Sequence, residues 1–302
     1  MWPKNRLSKW ILFSCAGLIC LLVASEVLLR TVWGFCDAVL YRSDKDFEYI
    51  EIPQKRVRFG KLNYYNAFSQ RNGEVTAQDS VIIDGFGDSV INGGAMVDQD
   101  SLATTKLSKY LSERDHTPVK VLNIAAGSWG PDNCFAYLKK YGNFGCKKIF
   151  LVVSSHDAFD DMTFEKTVGV DPEHPDRQYH LALWELLDRY VIPRLRHKAA
   201  SEQLFINKRQ DNTPFNSGFG DFFHYCADRK IPLLIYLHAE KGELAQGKYD
   251  DEGQMIIDTC RKYQIPLVKD LDYHLSPEVY RDKIHFNNRG QQAMFAILRD
   301  SL

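Results

Sequence analysis

The 302-residue sequence has no excess of charge of either sign: 38 Lys and Arg stand against 39 Asp and Glu, a formal net charge of −1. With no basic field and no run of like charges, nothing would hold a polyanion, so nucleic acid is not an expected partner. No cysteine pair has CxxC or CxxH spacing, so no metal site and no cofactor are expected. Of seven cysteines, Cys15 and Cys20 lie in an apolar run. The five that remain are Cys36, Cys134, Cys146, Cys226 and Cys260. An odd number excludes the disulfide framework of a small secreted domain. Buried free thiols are the expectation, with a Cys134–Cys146 bridge left open. There is also no internal repeat and no low-complexity tract. At 45% hydrophobic and 25% charged residues, the chain has the composition of a globular protein with a substantial core.

What the sequence does have is one long apolar run. Trp10 to Leu29 contains twenty residues and a single charge, Glu26. As a helix it would rise about 30 Å, the thickness of a bilayer's hydrocarbon core. Lys4, Arg6 and Lys9 precede it. The positive-inside rule then predicts a single-pass anchor with a cytoplasmic N-terminus and the rest periplasmic or extracellular. A cleaved signal peptide is the competing reading. Its small-residue site at Val23-Ala24-Ser25 is poor, and the apolar run continues past it. The expected organisation is a basic tip and anchor over 1–33, a juxtamembrane extension over 34–79 and a main domain over 80–302.

Within the main domain, strands alternate with helices. Strands are expected at 81–86, 119–124, 149–153, 231–237 and 266–268. Helices are expected at 101–114, with Ser101 as N-cap, at 131–141, with Pro131 at the start, and at 251–263 and 289–300. This alternation predicts a parallel sheet covered on both faces. An insertion at about 155–218, with a helical stretch near 181–191, would sit beside the carboxyl edge of that sheet, where ligands bind in such folds.

Two distant motifs carry chemistry. The first is Gly85-Phe86-Gly87-Asp88-Ser89, where a strand ends in a tight turn and presents a serine hydroxyl. A serine needs a base to become a nucleophile. The second motif, Asp282-Lys283-Ile284-His285, supplies an imidazole and a carboxylate that can fix its tautomer. Each motif alone fits a plain turn or a capping residue. Together they fall after the first strand and before the last helix of one α/β pattern.

In this placement, residues 80–300 resemble the GDSL/SGNH hydrolase family. Gly87-Asp88-Ser89 matches its nucleophile block, and Asp282 and His285 match its last block. Asn123-Ile124-Ala125-Ala126-Gly127 looks like its second block, whose glycine lends an oxyanion N–H. The resemblance implies a flavodoxin-like three-layer α/β/α sandwich with a five-stranded parallel sheet. It also implies a catalytic Ser89, Asp282 and His285, with Ser89 and Gly127 as oxyanion donors. One block departs: Ser154-Ser155-His156-Asp157 puts His156 where the family has an asparagine donor, so His156 is the candidate third donor. Relatives of this layout act on acyl groups of polysaccharides. The implied function is therefore an esterase removing O-acyl, chiefly acetyl, groups from a cell-envelope or extracellular glycan. The alternatives are an O-acetyltransferase with the same triad and a non-catalytic glycan-binding or assembly protein. Expected partners are the acylated glycan or another ester, the membrane, and polysaccharide-assembly proteins.

Weaker signals have plainer readings. His156, Asp157, Asp160 and Asp161 read as a solvated acidic loop rather than a metal site. Trp129 reads as core, with stacking on a sugar as the alternative. His174 and His180 read as surface residues. Phe159, Phe164 and Trp184 fit either a lid or the core.

Overall fold

The structure, a computed structural model, describes residues 6–194 and 214–302. Lys4 and part of the expected insertion lie outside these residues. The first helix, α1 (Arg6–Trp33), contains the apolar run and extends beyond it at both ends. Two short hairpins come next. In the first, β1 (Tyr41–Asp44) pairs antiparallel with β2 (Glu48–Glu51) in the register Tyr41↔Glu51. In the second, β3 (Gln54–Arg58) pairs with β4 (Lys61–Tyr65). The sequence predicts no strands here, because segments of four or five residues with mixed polarity show no legible period.

The main sheet is parallel. It comprises β5 (Val81–Gly87), β6 (Val119–Ala125), β7 (Lys148–Ser154), β8 (Leu233–His238) and β9 (Leu267–Lys269) in the order β6-β5-β7-β8-β9. Counting sheet strands in chain order gives 2-1-3-4-5, the flavodoxin-like winding. Between them run α2 (Ser89–Asn92), α3 (Ala103–Asp115), α4 (Pro131–Tyr141), α5 (Ala182–Leu186), α6 (Ser217–Arg229), α7 (Lys241–Gln246), α8 (Asp251–Tyr263) and α9 (Asn288–Ser301).

The strands alternate their side chains between two cores. On one face Phe86, Leu122, Leu151, Ile235 and Leu237 pack against Tyr137 and Leu138 of α4, Phe222 of α6 and Ile256 of α8. On the other, Val121, Phe150, Val152 and Tyr236 pack against Leu107 of α3 and Met294 and Leu298 of α9. Each fully buried large apolar side chain contributes about 1.5–3 kcal/mol over its exposed state. The three-layer α/β/α sandwich is thus the one the sequence implied.

Local signals account for most helix ends. Pro131 opens α4, Asp250 accepts from the N–H groups of Glu252 and Gly253 to open α8, and Asn287 does the same with Arg289 and Gly290 for α9. Ser101 is not the N-cap of α3. It closes a 3₁₀ turn, Gln99–Ser101, capped by Asp98, and α3 begins after Leu102 with no side-chain cap. The helix α6 has no clear signature in the sequence, since Gly218 and Gly220 lower its propensity. Its Asn216 cap and the buried Phe219, Phe222 and Phe223 hold it. All seven cysteines are free, so the Cys134–Cys146 bridge does not form; both thiols are buried.

The chain divides into two compact units. The larger, Val39–Arg56, Lys61–Asp176 and Arg209–Leu302, contains the main sheet. The smaller is drawn from Met1–Ala38, Val57–Gly60 and Arg177–Lys208. Lys9–Trp33 is the one stretch among the described residues long and apolar enough to cross a membrane, and none of it is buried against protein.

Candidate active site

All five strands of the main sheet point their carboxyl ends the same way, and the site is built from segments just beyond three of them, joined by a loop near the end of the chain. After β5 the chain turns sharply. A Cβ on Gly87 would come within 2.6 Å of the Val152 carbonyl oxygen, so only glycine lets β5 pass β7 at this point. Asp88 then accepts from the Val90 N–H at 2.8 Å and opens α2, whose first residue is Ser89. The half-buried Ser89 hydroxyl is left facing outward from the strand end.

His285 meets it from the far end of the chain. Its Nε2 lies 2.9 Å from Ser89 Oγ. Its Nδ1 lies 2.9 and 3.0 Å from the two oxygens of Asp282. Asp282 also accepts from the backbone N–H groups of His285 (2.8 Å) and Ile284 (3.1 Å). Burial opposes its charge, but these two N–H groups and the His285 imidazole hold its carboxyl down at about 2. Asp282 is therefore an anion at any pH where the protein would work. The partners assign the tautomer: Nδ1–H donates to Asp282, and Nε2 is free to accept the Ser89 proton.

The loop carrying this pair is braced from below. Tyr280 and Phe286 form an isolated antiparallel bridge, and Arg281 N–H donates to His285 O at 2.8 Å. Behind them stands His238, at the end of β8, which the sequence motifs do not single out. It is fully buried; Nδ1 contacts Asp270 at 2.7 Å, and Nε2 contacts the Ile284 carbonyl at 2.8 Å. Burial works against protonation of His238, but Asp270 and the Ile284 carbonyl together raise it. Both ring nitrogens then donate, and a charged strut fixes the residue next to His285. A histidine closing an apolar strand, Leu233-Leu234-Ile235-Tyr236-Leu237-His238, was the available signal.

A second brace fixes α2. Arg71 is fully buried and donates to the carbonyls of Asn92, Gly94 and Val97 and to Asn63 Oδ1. Asn92 Nδ2 in turn reaches Ala125 O at 2.9 Å, and Asn123 Nδ2 reaches Ile91 O at 2.8 Å. The end of β6 is thus tied to the helix that starts at Ser89. Gly127 lies two residues after β6, and its carbonyl accepts from Tyr49 Oη at 2.9 Å.

His156 sits in the 3₁₀ turn Ser155–Ala158 that comes after β7. Its Nδ1 contacts Glu240 at 3.3 Å, and its Nε2 lies 3.8 Å from Asp157. Burial opposes charge on this ring, yet Asp157, Glu240, Asp88 and Asp160 outweigh it and push His156 well up. The expectation of a solvated acidic loop is corrected here: Asp157 is buried, and Asp160 is pushed up to about 6 chiefly by burial. Ligand atoms of Asp88, His156 and Asp157 fall within 4.8 Å of one another. Asp88 is engaged by the Val90 N–H, Asp157 by the Ser154 N–H at 2.6 Å, and His156 by Glu240.

Other expectations resolve individually. Trp129 is buried and donates to Tyr49 O, so it is core and not a sugar platform. His180 is exposed, as expected. His174 is not a surface residue: it is buried, edge-on to Tyr41 and Tyr49, with Nδ1 2.9 Å from Asp171. Phe159 packs on the core, whereas Phe164 and Trp184 are exposed and lie outside the core.

No protein-family model matches the sequence, and no curated relative matches it. Among solved structures the chain is similar to a putative lipolytic protein of the G-D-S-L family from Desulfitobacterium hafniense. The identity is 9% and the TM-score 0.44, covering 74% of this chain and 100% of that one. It is similar to an alpha/beta hydrolase enzyme from the metagenome of Lake Arreo, Spain, at 14% identity and TM-score 0.43, covering 74% and 95%. It is also similar to a two-domain esterase active on acetylated mannans, at 11% identity and TM-score 0.42, covering 74% of this chain and 48% of that one.

Proposed function

We propose that this chain is a membrane-tethered serine esterase of the SGNH type that removes O-acyl groups, acetyl foremost, from a glycan outside the cytoplasm. The observation that carries the reading is the unbroken contact chain Ser89–His285–Asp282 at the carboxyl edge of the sheet. These residues lie 196 and 3 positions apart in sequence. The family blocks read in the sequence support it. So does the openness of the triad, with side-chain exposures of 30% for His285 and 44% for Asp282. A site at the surface admits one ester on a long polymer, where an enclosed pocket would not.

In this reading, His285 Nε2 takes the Ser89 hydroxyl proton as Oγ attacks the ester carbonyl. The backbone N–H groups of Ser89 and Gly127 stabilise the oxyanion, with the charged His156 ring as the third contributor. The imidazolium returns its proton to the departing sugar oxygen. Water, deprotonated by His285, then cleaves acyl-Ser89. A sugar hydroxyl in place of water would make the same site an acyltransferase.

The test is hydrolysis of p-nitrophenyl acetate by the full chain in detergent, beside Ser89→Ala. Turnover is expected in the parent protein only. Activity that survives in Ser89→Ala, or its absence from both proteins, would remove the esterase reading.

A further inference from the structure

Within the smaller unit, one helix faces the wrong way for a protein in water. The helix α5, with its π-helical continuation Leu187–Val191, is tied to the outer end of α1 by its polar groups. Glu26 of α1 accepts from the backbone N–H groups of Ala182 (2.7 Å) and Leu183 (2.9 Å), the orphan donors at the start of α5. Arg30, paired with Glu26 at 2.7 Å, donates to the His180 carbonyl. One turn on, the buried Glu185 carboxylate is held by Arg58 (2.6 Å) and the Cys36 N–H (2.6 Å). Phe35, Phe59 and Tyr190 pack together around this ion pair.

The opposite stripe of α5 is apolar and uncovered by any described residue. Leu181, Trp184 and Leu187, at i, i+3 and i+6, are 58%, 53% and 43% exposed. The same unit exposes Val27, Leu28, Val32 and Trp33 of α1, and Val57. Both α5 and the candidate span thus expose apolar side chains within this unit. The level also fits. From Trp10, a helix rising about 1.5 Å per residue leaves a hydrocarbon core of about 30 Å near Leu29. The Glu26 cap therefore sets α5 at the depth where headgroups begin, the depth that tryptophan prefers.

We propose that α5 and its continuation lie in the outer headgroup layer of the bilayer that α1 crosses, with Leu181, Trp184 and Leu187 dipped into lipid. The anchor is then a transmembrane helix plus an interfacial one, clamped by Glu26, and it fixes how deep the protein sits. The proposal rests on α1 crossing a membrane, and the test separates the two.

The full chain, carrying Trp2→Phe, Trp10→Phe and Trp33→Phe, is reconstituted in phosphatidylcholine vesicles. Its emission then comes from the buried Trp129 and from Trp184. Adding Trp184→Phe isolates the Trp184 signal by difference. Adding Leu21→Trp to that background reports the middle of the span. Loss of the Trp184 signal with lipids brominated high on the acyl chain, and its protection from aqueous acrylamide, is the expected result. Quenching of Trp184 by acrylamide alone, while position 21 is quenched by deeply brominated lipid, would overturn the proposal and leave the span standing. Protection of Trp184 from both quenchers would mean that protein covers it, and would also overturn the proposal. If neither position senses bromine, the span reading falls too.

Discussion

At the scale of single residues, the site separates groups by what holds their protons. Asp282 is held at about 2 by two backbone N–H groups and an imidazole, so it contributes no step to activity above about pH 4. Asp282→Asn keeps the shape but cannot hold the Nδ1–H tautomer. We expect a loss in kcat of ~10³–10⁴-fold with KM little changed, read by steady-state kinetics. A loss confined to KM would contradict the assigned role. His156 is the proposed third contributor to the oxyanion site. His156→Ala should lower kcat by ~100-fold, whereas His156→Asn should retain most of it. Activity equal to the parent protein's in both variants would show that His156 takes no part in stabilising the oxyanion. The contact chain Ser89–His285–Asp282 was legible because a serine nucleophile needs a base and a carboxylate, whereas Gly127 and His156 came only from the resemblance and their oxyanion roles stand as proposals. His174, the buried His238 and Arg71 were not legible, because their roles depend on partners that only folding brings into contact: Tyr41 and Tyr49 for His174, Asp270 and Ile284 for His238, and Asn92 and Val97 for Arg71.

At the scale of elements, the sheet was readable and its attachments were not. Five strands and four of the helices announce themselves by apolar period and by capping residues such as Asp250 and Asn287. The hairpins β1–β2 and β3–β4 are too short to show a period, and α6 hides behind two glycines. These attachments still matter to the site. Tyr49 of β2 holds the Gly127 carbonyl, and His238 at the end of β8 holds Ile284. His238→Gln removes the charged strut without touching Ser89 or His285. It should lower kcat by about tenfold through a looser His285, with KM for a small ester within about twofold. Unchanged kcat would mean that the Tyr280–Phe286 bridge alone is enough.

At the scale of the whole molecule, buried acids set the response to pH. Asp84 lies in β5, an interior strand of the sheet, fully buried, and burial pushes it well up. Burial also pushes Glu51 up to about 7 and Asp160 up to about 6, while His238 and His156 are raised by their acidic partners. All five groups bind protons more tightly folded than unfolded. Between about pH 5 and 8 the native state therefore holds more protons than the unfolded chain, and stability must fall as pH rises. Asp282 and Asp44, both lowered, are ionised in both states across that window and add no slope. Thermal unfolding should show a higher Tm at about pH 5 than at about pH 8, and Asp84→Asn should flatten the difference. A Tm that rises with pH would contradict the assignment. Alkaline carbonate should leave the full chain in the membrane pellet, as a spanning α1 requires.

The clamp between Glu26 and α5 also has a consequence in time. Its two halves are 156 positions apart, and the Arg58–Glu185 pair beside it closes over 127. A ribosome adds roughly 5–20 residues per second, so α1 would emerge several seconds before its partner exists. During synthesis Glu26 and Arg30 must wait with only each other. The β1–β2 hairpin and strands β5 to β7 are all made before the clamp can shut. The clamp can therefore form while β8, β9 and the loop carrying Asp282 and His285 are still unmade.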